Sequence, residues 1–168
     1  MILYLMRHGT AVNVGERGVR TDAHRMLSEE GVDKTRAVAH GLKRIMGDEL
    51  KRLVSSPLVR ARETAEIVAG ILGGGIGVET ADELSGGADP LEVVAWLRRQ
   101  PAVPTLLVGH MPDLGALASC LTSGAARTQI DFKKAGVARI VFEHHVTAGH
   151  GALEWLLTPG QLRQLGRE

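Results

Sequence analysis

The sequence predicts an α/β fold, a three-layer sandwich with a central, mostly parallel but mixed sheet flanked by helices. Short apolar runs alternate with stretches of helical periodicity along the chain. The last two runs, Val137–Phe142 and Ala152–Leu157, are joined by a histidine-bearing turn, as in an antiparallel hairpin. A length of 168 residues, 44% hydrophobic and 23% charged, suits one globular domain over 1–168, with no internal repeat and no linker.

The elements follow in order. Ile2–Met6 is apolar and ends at once in Arg7-His8-Gly9, the pattern of a buried strand delivering a loop. Ser28 is placed to cap a helix in which Val32, Thr35, Val38, Ala39, Leu42, Ile45 and Met46 recur at helical spacing up to Gly47. Leu53 and Val54 form the second strand. Ser56 followed by Pro57 reads as an N-cap with proline in the first turn, opening a helix through about Ile71 that Gly73-Gly74-Gly75 ends. After a short strand near Val78, Asp89-Pro90 starts a helix with Leu91, Val94, Ala95 and Leu97 on one face, stopping before Pro101. Thr105–Val108 is a further buried strand, an apolar helix runs from Pro112-Asp113 to Leu121, and Pro159 begins a closing amphipathic helix.

Composition narrows the function classes. Twenty basic against nineteen acidic residues leave a net charge of +1, and aromatics are 3%, so neither a whole-molecule field nor stacking platforms favour nucleic acid as a partner. The single Cys120 cannot form an intrachain disulfide, and the apolar start is too short for a signal peptide. No run approaches the ~20 apolar residues of a membrane span. A cytoplasmic monomer without membrane contact is expected. His144, His145 and His150 lack the Cys or carboxylate spacing of a metal set and read as a solvated hairpin. The Gly73–Gly77 run lacks a phosphate-loop lysine and reads as a flexible turn, and Trp96 and Trp155 read as packing. Neither metal nor cofactor is expected.

In open α/β sheets, functional groups gather beyond the carboxyl ends of the strands. There stand Arg7-His8-Gly9, Ser55-Ser56-Pro57 with Arg60, and Gly109-His110. Two arginines and two histidines at one edge suit a phosphoryl dianion, because guanidinium forks match its oxygens and offset the charge that spreads in the transition state. Arg60, in the first turn of its helix, adds the positive end of the helix dipole.

Leu5-Met6-Arg7-His8-Gly9, Ser55-Ser56-Pro57-Leu58-Val59-Arg60-Ala61 and Val108-Gly109-His110 resemble the signatures of the histidine phosphatase superfamily, whose fold is phosphoglycerate mutase-like. Asp22, Arg25, Leu27 and Ser28, spaced D-x-x-R-x-L-S, resemble its small SixA-type phosphohistidine phosphatases, as does the tail Leu153–Pro159. The resemblance implies His8 as a nucleophile forming a phosphohistidine intermediate, with Arg7, Arg60 and His110 holding the phosphoryl oxygens. For attack His8 must present a neutral nitrogen, which nearby Arg7 and Arg60 favour. Its other ring nitrogen is expected to donate to a backbone carbonyl, with Gly9 permitting close backbone approach.

Larger family members use a glutamate downstream of the Ser-Pro helix as general acid, and Glu83 is the nearest match. The leaving group of a phosphohistidine is an imidazole, which departs with little such help, so Glu83, Asp22 or no acid at all are the alternatives. Arg25 is either a substrate contact or a loop partner of Asp22. Arg62 is expected on an exposed helix face, pairing with Glu63 or Glu66. The stretch from Arg60 to His110 is filled by regular elements, leaving no room for a cap domain, and only the Thr10–Met26 loop shapes the entrance. An open pocket suits a phosphorylated side chain on a protein. The alternatives are a phosphatase of small phosphate esters and a catalytically idle phosphate-binding module.

Overall fold

A computed structural model describes residues 1–167. Six strands form one sheet in the order β3-β2-β4-β1-β5-β6, comprising β1 (Ile2–Arg7), β2 (Arg52–Ser55), β3 (Val78–Thr80), β4 (Thr105–Gly109), β5 (Val137–Val141) and β6 (Ala152–Leu157). The pairings β1–β4, β2–β4 and β2–β3 are parallel, whereas β5 runs antiparallel to both β1 and β6. The expected mixed sandwich is therefore observed, and among the described residues no cap domain interrupts it.

Both faces of the sheet are covered, which is why its central strands read as unbroken apolar runs. Along β1, Tyr4 and Met6 face α1 (Glu29–Met46), α2 (Val59–Leu72) and α5 (Pro159–Leu165), while Leu3 and Leu5 face α3 (Pro90–Arg98) and α4 (Asp113–Ser123). Gly41 of α1 leaves space for the Leu162 carbonyl of α5, which a Cβ there would overlap.

Local chemistry sets the helix ends. Ser28 Oγ accepts from Gly31 N–H at 3.0 Å, Asp89 Oδ1 from Leu91 N–H at 2.7 Å, and Thr158 with Gln161 forms a reciprocal cap on α5. Two expectations need correction. Helix α2 begins at Val59 with Leu58 as its N-cap residue, because Ser56 Oγ accepts from Leu58 N–H at 3.2 Å in a turn ahead of the helix. On α3 the buried face is Val93, Val94, Trp96 and Leu97, leaving Leu91 57% exposed and Ala95 exposed. Val93 and Trp96, three residues apart, share the buried face with Val94 and Leu97, and the bulk of Trp96 is buried there in place of Leu91. Trp155 packs on Tyr4 with ring centroids 5.8 Å apart. Among the described residues, no helix is long and apolar enough to cross a membrane and no His, Cys, Asp and Glu cluster could hold a metal ion.

Candidate active site

Sheet register assembles the site. Arg7 stands opposite Gly109 and Ser55 opposite Val108, so the residues that follow each strand, His8, Ser56 and His110, emerge side by side. The imidazoles of His8 and His110 lie 5.1 Å apart, centroid to centroid, and each residue is only 7% exposed. Arg60, on the first turn of α2, projects into the same place, while Arg7 extends from the end of β1.

The backbone of the nucleophile candidate is held from three directions. His8 N–H donates to the Gly109 carbonyl at 3.0 Å, Gly9 N–H donates to Thr64 Oγ1 at 3.0 Å, and Ala135 N–H reaches the carbonyls of Arg7 and His8 at 3.0 and 3.2 Å. Ala135 makes that reach from a left-handed backbone, φ 63°, which a residue with a Cβ adopts at a cost of about 1–2 kcal/mol. A Cβ on Gly9 would stand 2.5 Å from Thr35 Oγ1, so this position has no space for a side chain.

The two ring nitrogens of His8 have different partners. Nδ1 lies 2.7 Å from the Gly9 carbonyl, which fixes the proton on that nitrogen, and Arg60 Nε–H donates to Nε2 at 3.3 Å. Burial pushes the imidazole down to about 3, with His110, Arg60 and Arg7 adding to the effect and the Gly9 carbonyl opposing it. His8 is therefore neutral at pH 7, and burial outweighs the arginines expected to cause it. His110 is also pushed down by burial, to about 4, assisted by Arg60 and resisted by Asp113 and Asp22. Its Nε2 lies 2.7 Å from Ser56 Oγ, and its buried Nδ1 has no protein partner.

The two arginines differ in how far protein acceptors engage them. Arg7 Nη1 donates to the Phe132 carbonyl at 2.8 Å, leaving a buried Nε without a partner. Arg60 Nη1 and Nη2 donate to the Asp22 carbonyl and carboxylate at 2.8 and 3.1 Å. Asp22 also accepts from Arg25 Nη1 at 3.1 Å, and hydrogen bonding from Arg25, with Arg60 beside it, holds its carboxyl below the usual range. Such a pocket presents an unprotonated imidazole nitrogen among guanidinium donors.

The sequence model of the histidine phosphatase superfamily, branch 1, matches residues 3–86, half of the chain, a span that contains Arg7, His8 and Arg60. The chain belongs to this superfamily. It is 36% identical over 143 residues to an uncharacterized protein of Picosynechococcus sp., covering 82% of each chain. With the phosphohistidine phosphatase SixA of Escherichia coli strain K12 it shares 28% identity over 166 residues, covering 97% of each. The structure of the protein histidine phosphatase SixA complexed with tungstate matches with a TM-score of 0.80 at 29% identity, over 96% of this chain and 99% of that one. By family it is a SixA-like histidine phosphatase.

Other expected residues of this histidine phosphatase fall around the core site. Glu83 is half-buried on a 3-10 turn, Asp82–Leu84, and lines a small cavity with His110 and Asp113. Arg25 donates from Nε to the Val12 carbonyl at 2.7 Å as well as to Asp22, so its contacts are those of a loop scaffold. Arg62 is exposed, but the expected ion pair with Glu63 or Glu66 is not formed; Glu63 Oε2 accepts from Leu27 N–H at 2.6 Å and anchors the end of the entrance loop. Sequence reasoning missed Ser56 as the partner of His110 and Thr64 as the support of Gly9. Thr64 was accessible to it, lying one helical turn beyond Arg60.

Proposed function

We propose that this phosphatase removes the phosphoryl group from phosphohistidine on a protein through a covalent phosphohistidine intermediate on His8, as a monomeric cytoplasmic enzyme. The supporting observation is the state of His8, whose Nδ1–H is committed to the Gly9 carbonyl while Nε2 is unprotonated. In this reading the Nε2 lone pair attacks phosphorus in line with the substrate nitrogen. The bond from phosphorus to the substrate imidazole breaks as the bond to Nε2 forms, and the imidazole departs protonated or takes its proton from solvent. Water then attacks the phosphoenzyme, breaking the P–Nε2 bond, releasing phosphate and a proton and restoring neutral His8.

Arg60 caps the nucleophile at rest and transfers its donors to the phosphoryl oxygens as substrate enters; the free Nε of Arg7 and Nδ1 of His110 meet the others. Gly9 keeps the backbone close, and Asp22 with Arg25 positions Arg60 and the loop. These cations offset the developing charge, so the proposal includes neither metal nor cofactor. Glu83 acts as the acid only for poor leaving groups such as alkyl phosphates.

The test is trapping with radiolabelled phosphoramidate and an alkaline quench, since phosphohistidine is acid-labile. Wild type is labelled, and His8→Ala is not labelled yet still binds inorganic phosphate through the surviving cations. Turnover of a histidine-phosphorylated peptide should exceed that of phosphoglycerate and phosphosugars. Absence of label with retained phosphate binding would mean a non-catalytic module, and a preference for the small esters would mean a small-molecule phosphatase.

A further inference from the structure

A second concavity opens on the same sheet edge, beside the phosphoryl pocket. It encloses about 460 Å³, and its charged lining residues are Arg7, Lys34, Lys133, Lys134 and Arg163, with no carboxylate or aromatic residue among those lining it. The cations come from four separated segments: Arg7 from the end of β1, Lys34 from α1, Lys133 and Lys134 from the turn before β5, and Arg163 from α5. In a chain of net charge +1 this is a local concentration of positive charge. Lys34 and Lys133 each pair with a neighbouring exposed carboxylate, Glu30 and Asp131, which tempers the field without closing the groove.

The groove is mechanically continuous with the nucleophile. Ala135, directly after the two lysines, hydrogen-bonds the carbonyls of Arg7 and His8, and the Phe132 carbonyl directly before them holds Arg7. Arg7 itself lines both spaces, and Thr35, which lines the groove, carries a fully buried hydroxyl with no protein partner. Exposed lysines on a broad surface suit a chain of carboxylates, whereas a nucleotide or sugar would want the aromatic or apolar floor that this groove lacks.

We infer that this groove is the docking surface for an acidic polypeptide segment flanking the phosphorylated histidine of the protein substrate. The inference rests on the proposed protein substrate and adds to it the charge of the partner. Electrostatic complementarity of this kind acts mainly on association and is screened by salt.

The experiment uses two phosphohistidine peptides of equal length, one flanked by glutamates and one by glutamines, with phosphoramidate as the small substrate. Wild type should show kcat/KM about tenfold higher for the glutamate peptide at low ionic strength, an advantage lost near 1 M salt where the Debye length is about 3 Å. Lys134→Gln/Arg163→Gln should erase most of that preference while turning over phosphoramidate within about twofold of wild type, since neither side chain touches the phosphoryl pocket. Docking is read independently by fluorescence anisotropy of the labelled, unphosphorylated glutamate peptide, which should bind wild type and lose affinity in the double variant. Equal turnover of both peptides by wild type, or an undiminished preference in the variant, overturns the docking surface while leaving the phosphatase reading intact. Binding of the acidic peptide without turnover of any phosphohistidine probe overturns the substrate reading and leaves the surface standing. A groove-dependent preference for a sugar bisphosphate over its monophosphate, with no discrimination between the peptides, would assign the groove to small polyanions and overturn the inference.

Discussion

Arg60 donates from Nε to the unprotonated Nε2 of His8 at 3.3 Å, so a guanidinium holds the lone pair to which the proposed mechanism gives the attack. Its guanidinium has to change partners as a phosphoryl group arrives. Arg60→Ala is expected to lower kcat by about 10²- to 10³-fold, the usual loss for one charge-assisted donor to a transition state, while retaining a slow, trappable phosphoenzyme. Single-turnover kinetics after alkaline quench check this, and wild-type rates would contradict the role.

Asp22 competes with phosphate for Arg60 Nη2, at 3.1 Å. Asp22→Asn should therefore tighten inorganic phosphate by up to about fivefold, the effect of relieving one partly exposed ion pair of at most about 1 kcal/mol. Calorimetric titration measures it. Weaker binding would mean that the positioning of Arg60 by Asp22 outweighs this competition.

Gly9→Ala should destabilise the fold by about 1–3 kcal/mol, as overpacking does, because its Cβ would meet Thr35 Oγ1 at 2.5 Å. In a Thr35→Ala background the same substitution should recover more than half of the loss. A double-mutant cycle from urea denaturation gives the coupling, and strictly additive losses would show that the clash lies elsewhere.

The two buried histidines set a pH dependence of stability. Their pKa values fall from the ordinary 6.5 to about 3 for His8 and about 4 for His110, so below pH 6.5 the unfolded chain binds protons that the folded chain refuses. Stability is therefore fully present above about pH 6.5 and is lost as pH falls toward 4, by at most about 1.4 kcal/mol per pH unit for each histidine. Urea midpoints between pH 7 and 4.5 should decline, less steeply in a His8→Gln/His110→Gln variant. The ring resonances of His8 and His110 should not titrate between pH 8 and 5.

Most of the fold was legible because its determinants are local. Ser28, Asp89 and Thr158 cap the helices they precede, and the strand ends at Arg7 and Gly109 were visible as breaks from apolar to polar sequence. Arg7, His8, Arg60 and His110 are brought to one edge, and register explains why: positions one residue past paired strand ends must be neighbours. What escaped was non-local or carried by backbone. The Phe132 carbonyl that ties Arg7 leaves no trace in residue identity, and Ser56 looked like a cap because its bond to His110 spans 54 positions. The turn around Lys133–Gly136 has no recognisable motif, yet it stiffens the end of β1.

The amides of His8 and Gly9 donate into Gly109 and Thr64, and the carbonyls of Arg7 and His8 accept from Ala135, so this loop has no independent way to fray. Exchange of those amides with solvent is therefore expected to require opening of the central sheet or of its contact with α2, close to the cooperative unfolding of the domain. Adaptation to different partners consequently falls to the periphery, where Gly15 and Gly18 adopt positive φ in the entrance loop and side chains can rearrange without disturbing the chemistry. Changes at the rim are then expected to leave the His8 imidazole in place.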